Sequence, residues 1–207
     1  MSHYTKTGRK GHGCCGGIVA LFLVVVAVFS LLFFCTDVFS GLKDKVMMYF
    51  YPQDYSQYVT QYAEEYDVDE ALVYAVIKTE SGFREDVESS VGAIGLMQIM
   101  PDTFEWLQTL SDSEVTYTEN DLKNPQINIK YGTYYLSFLL DHYDGREMLA
   151  IAAYNGGVAN VDKWLKDTNY SADGLTLTDI PYEETKNYVE RVEDAKNTYK
   201  TLYYDNK

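Results

Sequence analysis

The chain has 207 residues, 46% of them hydrophobic, a length that holds one full domain plus accessories. Lys6, Arg9 and Lys10 lie within residues 1–35, which contain no acid, so the rest of the chain carries a net charge of −17 against −14 for the whole; a nucleic-acid partner, which needs a basic face, is excluded. Cysteines stop at Cys35 and the only histidine beyond His12 is His142, so the main domain has neither a disulfide framework nor a Cys-based metal site, and no metal ligand set is expected.

The stretch GGIVALFLVVVAVFSLLFFC runs from Gly16 to Cys35. From Ile18 it supplies 18 almost wholly apolar residues, about 27 Å as a helix, enough to span a bilayer. The preceding basic residues keep the N-terminus in the cytoplasm. A cleaved signal peptide would have a shorter apolar core and a small-x-small site, whereas Phe33 and Phe34 close this one. The expected organisation is a cytoplasmic N-terminus over 1–17, an uncleaved transmembrane signal-anchor over 18–35, a linker over 36–56 with Pro52 as a breaker, and one domain outside the membrane over 57–207.

Beyond the linker little alternates like a strand. Ser56 is a candidate cap for a helix through Glu65, and Asp69 for the next, EALVYAVIKTES, which stops at Gly82. A helix over 101–110 has Pro101 in its first turn. Over 125–143, Ile127, Tyr131, Tyr134, Tyr135, Phe138 and Leu139 share a stripe, and Gly145 stops the pattern. Short helices over 147–155 and 158–165 flank Gly156 and Gly157, and His142 takes a helix-end or surface role. Pro181 opens a last helix with the stripe Tyr188, Val192, Ala195, Tyr199 and Leu202. The result is a mostly α domain with irregular loops over 83–100, 111–124 and 167–180.

Within this pattern Glu80 is out of place. Val73, Val76, Ile77 and Glu80 share one face of the second helix, so a carboxyl ends an apolar stripe at the negative pole of the helix dipole. Partial burial and the dipole both raise its pKa, and a glutamate that keeps its proton near neutrality can act as a general acid. Periodicity alone leaves open a glutamate at the rim that reaches into water. The neighbouring motifs add to the first reading. SSVGAIGLMQIMP sets Ser89, Ser90 and Gln98 among apolar residues, and AAYNGG ends an apolar helix with Tyr154 and Asn155. An acid, amide and hydroxyl donors, and aromatic surfaces suit a polyhydroxylated substrate such as a glycan.

ESGF at 80–83, SSVGAIGLMQIMP at 89–101, AAYNGG at 152–157 and IPYEETKNYVERV at 180–192 together resemble, in order and spacing, the four motifs of lytic transglycosylases of the soluble-lytic-transglycosylase branch, goose-type-lysozyme-like enzymes of glycoside hydrolase family 23. The resemblance covers about 57–200. It implies a lysozyme-like helical domain, a peptidoglycan glycan strand as partner, no cofactor, and Glu80 as the single catalytic acid/base. It further implies that Ser89, Gln98, Met100, Tyr154, Asn155 and Glu184 line the substrate cleft. Lys186 stands at the basic position of the last motif and receives no role. Hydrolysis of the muramidase type on the same fold, and a non-catalytic wall-binding module, are the alternatives. Protein partners are not readable from the residues.

Overall fold

The computed structural model describes residues 45–110 and 115–205, together with 25–26 and 42–43. The chain divides into two units, Met1–Phe50 and Tyr51–Lys207. In the first, residues 45–50 are helical and mostly exposed. The span expected over 18–35 lies outside the described residues apart from Val25 and Val26, and no helix among the described residues is long and apolar enough to cross a membrane.

The second unit is built of helices: α1 (Ser56–Glu65), α2 (Glu70–Glu80), α3 (Pro101–Leu110), a 3-10 turn (Glu119–Lys123), α4 (Pro125–His142), α5 (Glu147–Gly156), α6 (Val158–Leu165) and α7 (Glu183–Tyr199), which runs on into a π-helical turn (Lys200–Tyr204). Two isolated antiparallel bridges, Glu88 with Ile94 and Ile94 with Ile99, are the β pairing among the described residues. The mostly α expectation holds, and the expected loop over 111–124 contains the 3-10 turn.

Helix α2 is the centre of the unit. Asp69 caps it, its side chain accepting from the Ala71 N–H at 2.9 Å. Every residue from Ala71 to Ile77 is wholly buried, so α2 is a rod apolar on all sides rather than a helix with one apolar face. The stripe of Val73, Val76 and Ile77 is only one side of that rod. Helix α7 packs along it, with Tyr188, Val192, Ala195 and Tyr199 turned inward as expected. The start of α1 differs from expectation: Tyr55, at φ 60°, takes the cap position without a side-chain hydrogen bond, and Ser56 is the first helical residue. The stripe read along α4 is also displaced. Tyr131 and Leu139 are buried, but so are Asn128, Ile129, Thr133 and Leu136, while Ile127, Tyr134, Tyr135 and Phe138 are half-buried. Helix α4 contacts both α1 and α5, so two of its sides are covered.

One buried polar side chain joins α4 to the Gly-rich segment before α3. The Asn128 carboxamide accepts from Met97 N–H at 2.8 Å and donates to the carbonyls of Ile94 at 2.9 Å and Leu122 at 2.8 Å. Gly95 passes against this group at φ +80°, and a Cβ there would run into Asn128 Nδ2 and the Leu122 carbonyl. Met97 in turn lies directly on Gly132 of α4, where any Cβ would meet its side chain. Three backbone groups, two glycines and one thioether thus fix the loop to a single place.

At the other end of the unit a tyrosine strap closes the fold. The Tyr199 hydroxyl donates to the Pro52 carbonyl at 3.0 Å, Tyr203 to the Tyr51 carbonyl at 2.7 Å, and Tyr204 to Glu70 Oε2 at 2.8 Å. Residues 51–53, read from the sequence as linker, are held by the C-terminal turn of the domain.

Removing the carboxamide in Asn128→Ala strands three buried backbone groups and is expected to lower stability by about 3–5 kcal/mol. Gly95→Ala should cost about 1–3 kcal/mol through overlap and the positive φ, whereas exposed Ser90→Ala should stay within about 0.5 kcal/mol. Urea denaturation of the full chain measures all three.

Candidate active site

The last residue of α2 is Glu80. The chain reverses immediately after it: Ser81 is buried and donates its hydroxyl to the Ile77 carbonyl at 3.2 Å, and Gly82 and Phe83 are both left-handed, at φ 59° and 67°. A left-handed phenylalanine is a strained conformation, of a kind that collects at functional sites. The reversal leaves the Glu80 carboxyl at the mouth of the core, half-buried.

Burial is the largest influence on Glu80 and pushes its pKa up from 4.5 to about 7; the Tyr188 hydroxyl and the Arg191 guanidinium pull the other way, each favouring the carboxylate. Tyr188 and Tyr154 are both raised well above the ordinary phenol range, by burial first and then by the Glu80 charge. The Tyr188 hydroxyl is fully buried and outside ordinary hydrogen-bond geometry to any partner, so its effect on Glu80 is that of a nearby dipole rather than of a formed hydrogen bond. The groups that act on Glu80 are a phenol and a guanidinium, not a second carboxylate.

Tyr154, near the end of α5, donates to the Met97 carbonyl at 2.8 Å and sets its ring 5.2 Å from that of Tyr135. This bond joins the third motif to the second. A hollow of about 190 Å³ opens beside it, lined by Gln98, Ile99, Met100, Thr103, Tyr135, Tyr154, Asn155 and Gly157. Four of the residues expected in a cleft, Gln98, Met100, Tyr154 and Asn155, therefore share one wall. Gln98 is held at φ 49°, and its amide nitrogen donates inside the loop to the carbonyls of Val87 at 3.1 Å and Gly95 at 2.9 Å. Its donors hold the loop in shape. Met100 is 39% exposed and offers its thioether to that wall.

The remaining two candidates stand apart from the hollow. Ser89 accepts from the Ala93 N–H at 2.9 Å through its hydroxyl oxygen, closing the turn before Gly95. Glu184 is exposed in the first turn of α7. Its neighbour Thr185 is buried and donates to Asn155 Oδ1 at 2.9 Å, joining the fourth motif to the third. Lys186 pairs with Asp179 at 2.8 Å.

Sequence reasoning missed Tyr188 and Arg191 as groups acting on Glu80. Tyr188 was read as core because it lies on the α7 stripe, and it is core; that its hydroxyl faces a carboxyl from another helix is tertiary information. Tyr135 was likewise read only as part of a stripe. No group of His, Cys, Asp or Glu able to hold a metal ion occurs among the described residues.

Comparison with known proteins places this arrangement. The family model for the transglycosylase SLT domain matches residues 57–175. The soluble lytic murein transglycosylase of Salmonella typhimurium is 32% identical over 143 residues, 69% of this chain and 22% of that protein. The membrane-bound lytic murein transglycosylase C of Serratia proteamaculans is 30% identical over 170 residues, 70% of this chain and 46% of that protein. The chain thus spans about a fifth of the length of the soluble relative. Among solved structures, the 70 kDa soluble lytic transglycosylase of Escherichia coli superposes with a TM-score of 0.69 at 26% identity, over 76% of this chain and 26% of that one. An inactive glutamate-to-glutamine mutant of the lytic transglycosylase of Pseudomonas aeruginosa gives 0.64 at 30% identity, over 73% and 24%. The domain fold is therefore the lysozyme-like helical one.

A carboxyl whose folded pKa lies above its unfolded value holds a proton that the unfolded chain releases. Stability from this source is full below pH 4.5, falls as the pH rises towards about 7, and stays low above it. Glu80→Gln removes the titration, so its stability relative to the wild type should rise across that window by up to about 3 kcal/mol. Urea titrations at pH 5 and pH 8 measure this; a difference independent of pH would show that Glu80 titrates as an ordinary surface glutamate.

Proposed function

We propose that this chain, which belongs to the transglycosylase SLT domain family, is a membrane-anchored lytic transglycosylase that cleaves the β-1,4 bond between N-acetylmuramic acid and N-acetylglucosamine in peptidoglycan. The observation that carries the reading is Glu80: a half-buried carboxyl at the end of a buried helix, with a pKa near 7 and no second carboxylate acting on it. The names of the soluble and membrane-bound relatives support the substrate and the reaction. The mutant described as inactive in the Pseudomonas protein exchanges one glutamate for glutamine, which supports a single essential carboxyl.

In this reading protonated Glu80 donates its proton to the glycosidic oxygen as the bond to the muramic C1 breaks. The substrate's N-acetyl oxygen stabilises the anomeric carbon. The Glu80 carboxylate then takes the proton of the muramic C6 hydroxyl, whose oxygen closes on C1. The acid is regenerated, no water is consumed, and the product ends in 1,6-anhydromuramic acid. A pKa near 7 suits both halves, because one group must give and accept a proton at the same pH. Glycosidases that use two carboxylates hold them about 5–10 Å apart; Tyr188 and Arg191 take that position beside Glu80. Tyr154, Asn155, Gln98 and Met100 would line the sugar site, with Ser89 and Glu184 contacting the strand from the loop and from α7.

Anchoring through residues 18–35, with the N-terminus in the cytoplasm and the domain outside, completes the reading. It rests on the apolar run behind Lys6, Arg9 and Lys10 and on the name of the membrane-bound relative.

Glu80→Gln should fold, retain glycan strands and lose about a thousandfold or more in kcat. Wild-type digests of peptidoglycan should yield muropeptides one water lighter than hydrolysis gives, with muramic ends that borohydride leaves unchanged. Mass spectrometry decides this, and reducible muramic ends as the main product would assign the domain to hydrolysis instead.

Tyr154→Phe and Glu184→Gln should lower turnover less than Glu80→Gln does. Equal inactivity of Glu184→Gln with binding intact would restore a mechanism with two carboxylates. The rate of the wild type should fall as the pH rises through about 7, the proton on Glu80 being lost. Tyr188→Phe, which removes a group that lowers that pKa, should move the fall to higher pH.

A further inference from the structure

Outside the hollow beside Tyr154, the flank where α2 meets α7 carries a second one. It measures about 340 Å³ and is lined by Tyr51, Lys78, Thr79, Arg191, Asp194 and Ala195. Two cations and one carboxylate line it, in a chain whose part beyond residue 35 has a net charge of −17. Lys78 Nζ stands 4.4 Å from the centre of the Tyr51 ring, which holds the ammonium in place. Arg191 belongs to both places: it lines this hollow, and its charge reaches Glu80. The hollow is therefore an electropositive annex to the candidate active site.

We propose that the Lys78–Arg191 hollow binds a carboxylate of the peptide attached to the muramic acid of the strand being cleaved. The proposal rests on the transglycosylase reading and adds a specificity element to it. Peptidoglycan is a glycan whose muramic residues carry acidic peptides. A strongly acidic domain repels such a substrate at long range. A site that holds it needs local positive charge close to the scissile bond, and the hollow supplies that charge beside Glu80. Burial lowers the pKa of Lys78, so its ammonium is short of solvation and gains from an arriving anion. Asp194, exposed at the same hollow, opposes a second negative group and leaves room for one net carboxylate.

The test compares the full chain in detergent micelles on peptide-bearing glycan strands and on the same strands stripped of peptide by an amidase. On intact strands Lys78→Gln should raise KM about fivefold, the size of a partly exposed charge contact, with kcat little changed. On stripped strands its KM should move less than twofold. Lys78→Arg should restore the intact-strand value, and added salt should shrink the wild-type preference for intact strands. An equal KM shift on both strands would mean that Lys78 acts through the fold, and no shift on either would mean that the hollow takes no part; either result overturns the proposal. Should the wild type cleave neither strand, the catalytic reading fails separately. Retention of the two strands by wild type and Lys78→Gln then decides the site: a preference for intact strands that Lys78→Gln loses supports it, and equal retention overturns it.

Discussion

The Asn128 carboxamide is the contact on which the site depends. It takes one N–H and two carbonyls from three separate stretches of backbone and leaves none of them to water. In the interior such a group is either fully paired or strongly destabilising. It therefore selects a single path for residues 94–97, and the bare faces of Gly95 and Gly132 let the loop come close enough to use it. The Met97 carbonyl is then fixed where the Tyr154 hydroxyl can reach it. Through that bond the wall formed by Gln98 and Met100 is set against the wall formed by Tyr154 and Asn155. A rigid sugar-binding surface is thereby made from a loop with almost no regular secondary structure.

The second constraint is the burial of α2. A helix wholly surrounded by other elements has few ways to present a polar group, and its end is one of them. Placing Glu80 at the last residue lets the carboxyl leave the core without a break in the helix, while the reversal at Gly82 and Phe83 keeps it from reaching open solvent. The raised pKa follows from this position. Tyr188 and Arg191, both from α7, limit the rise, so the packing of α7 on α2 both covers the core and tunes the acid.

Much of this was legible in the sequence. Helix limits followed from Asp69, from Pro101 and Pro125, and from the glycines after α4 and α5, because caps and breakers are local chemistry. Glu80 was legible because a carboxyl in an apolar pattern needs a reason. The stripes on α2 and α4 were less so: a helix covered on several sides has no single apolar face, and periodicity cannot tell the number of neighbours. Asn128 left a trace, an amide between Ile127 and Ile129, but its partners lie on the loop and the 3-10 turn. The cap at Tyr55 left no trace, since a left-handed tyrosine is not a local preference. The site was readable as a set of motifs, and its wiring (Tyr154 to Met97, Thr185 to Asn155, Tyr188 and Arg191 towards Glu80) was not, since each link joins residues distant in the chain.

The tyrosine strap has a mechanical consequence. The domain enters at Tyr51 and ends near Tyr204, and the two ends are laced together by phenol hydroxyls on the Tyr51 and Pro52 carbonyls. A tug on the chain ahead of Tyr51 is borne first by these bonds together, and then by the stack of Tyr199 on Tyr74 of α2. The load is shared in parallel between the strap and the central rod and does not peel one helix away at a time. A wall-cutting domain held by its N-terminal side would keep its acid in register under tension for as long as the last turn of the chain stayed knotted to the first.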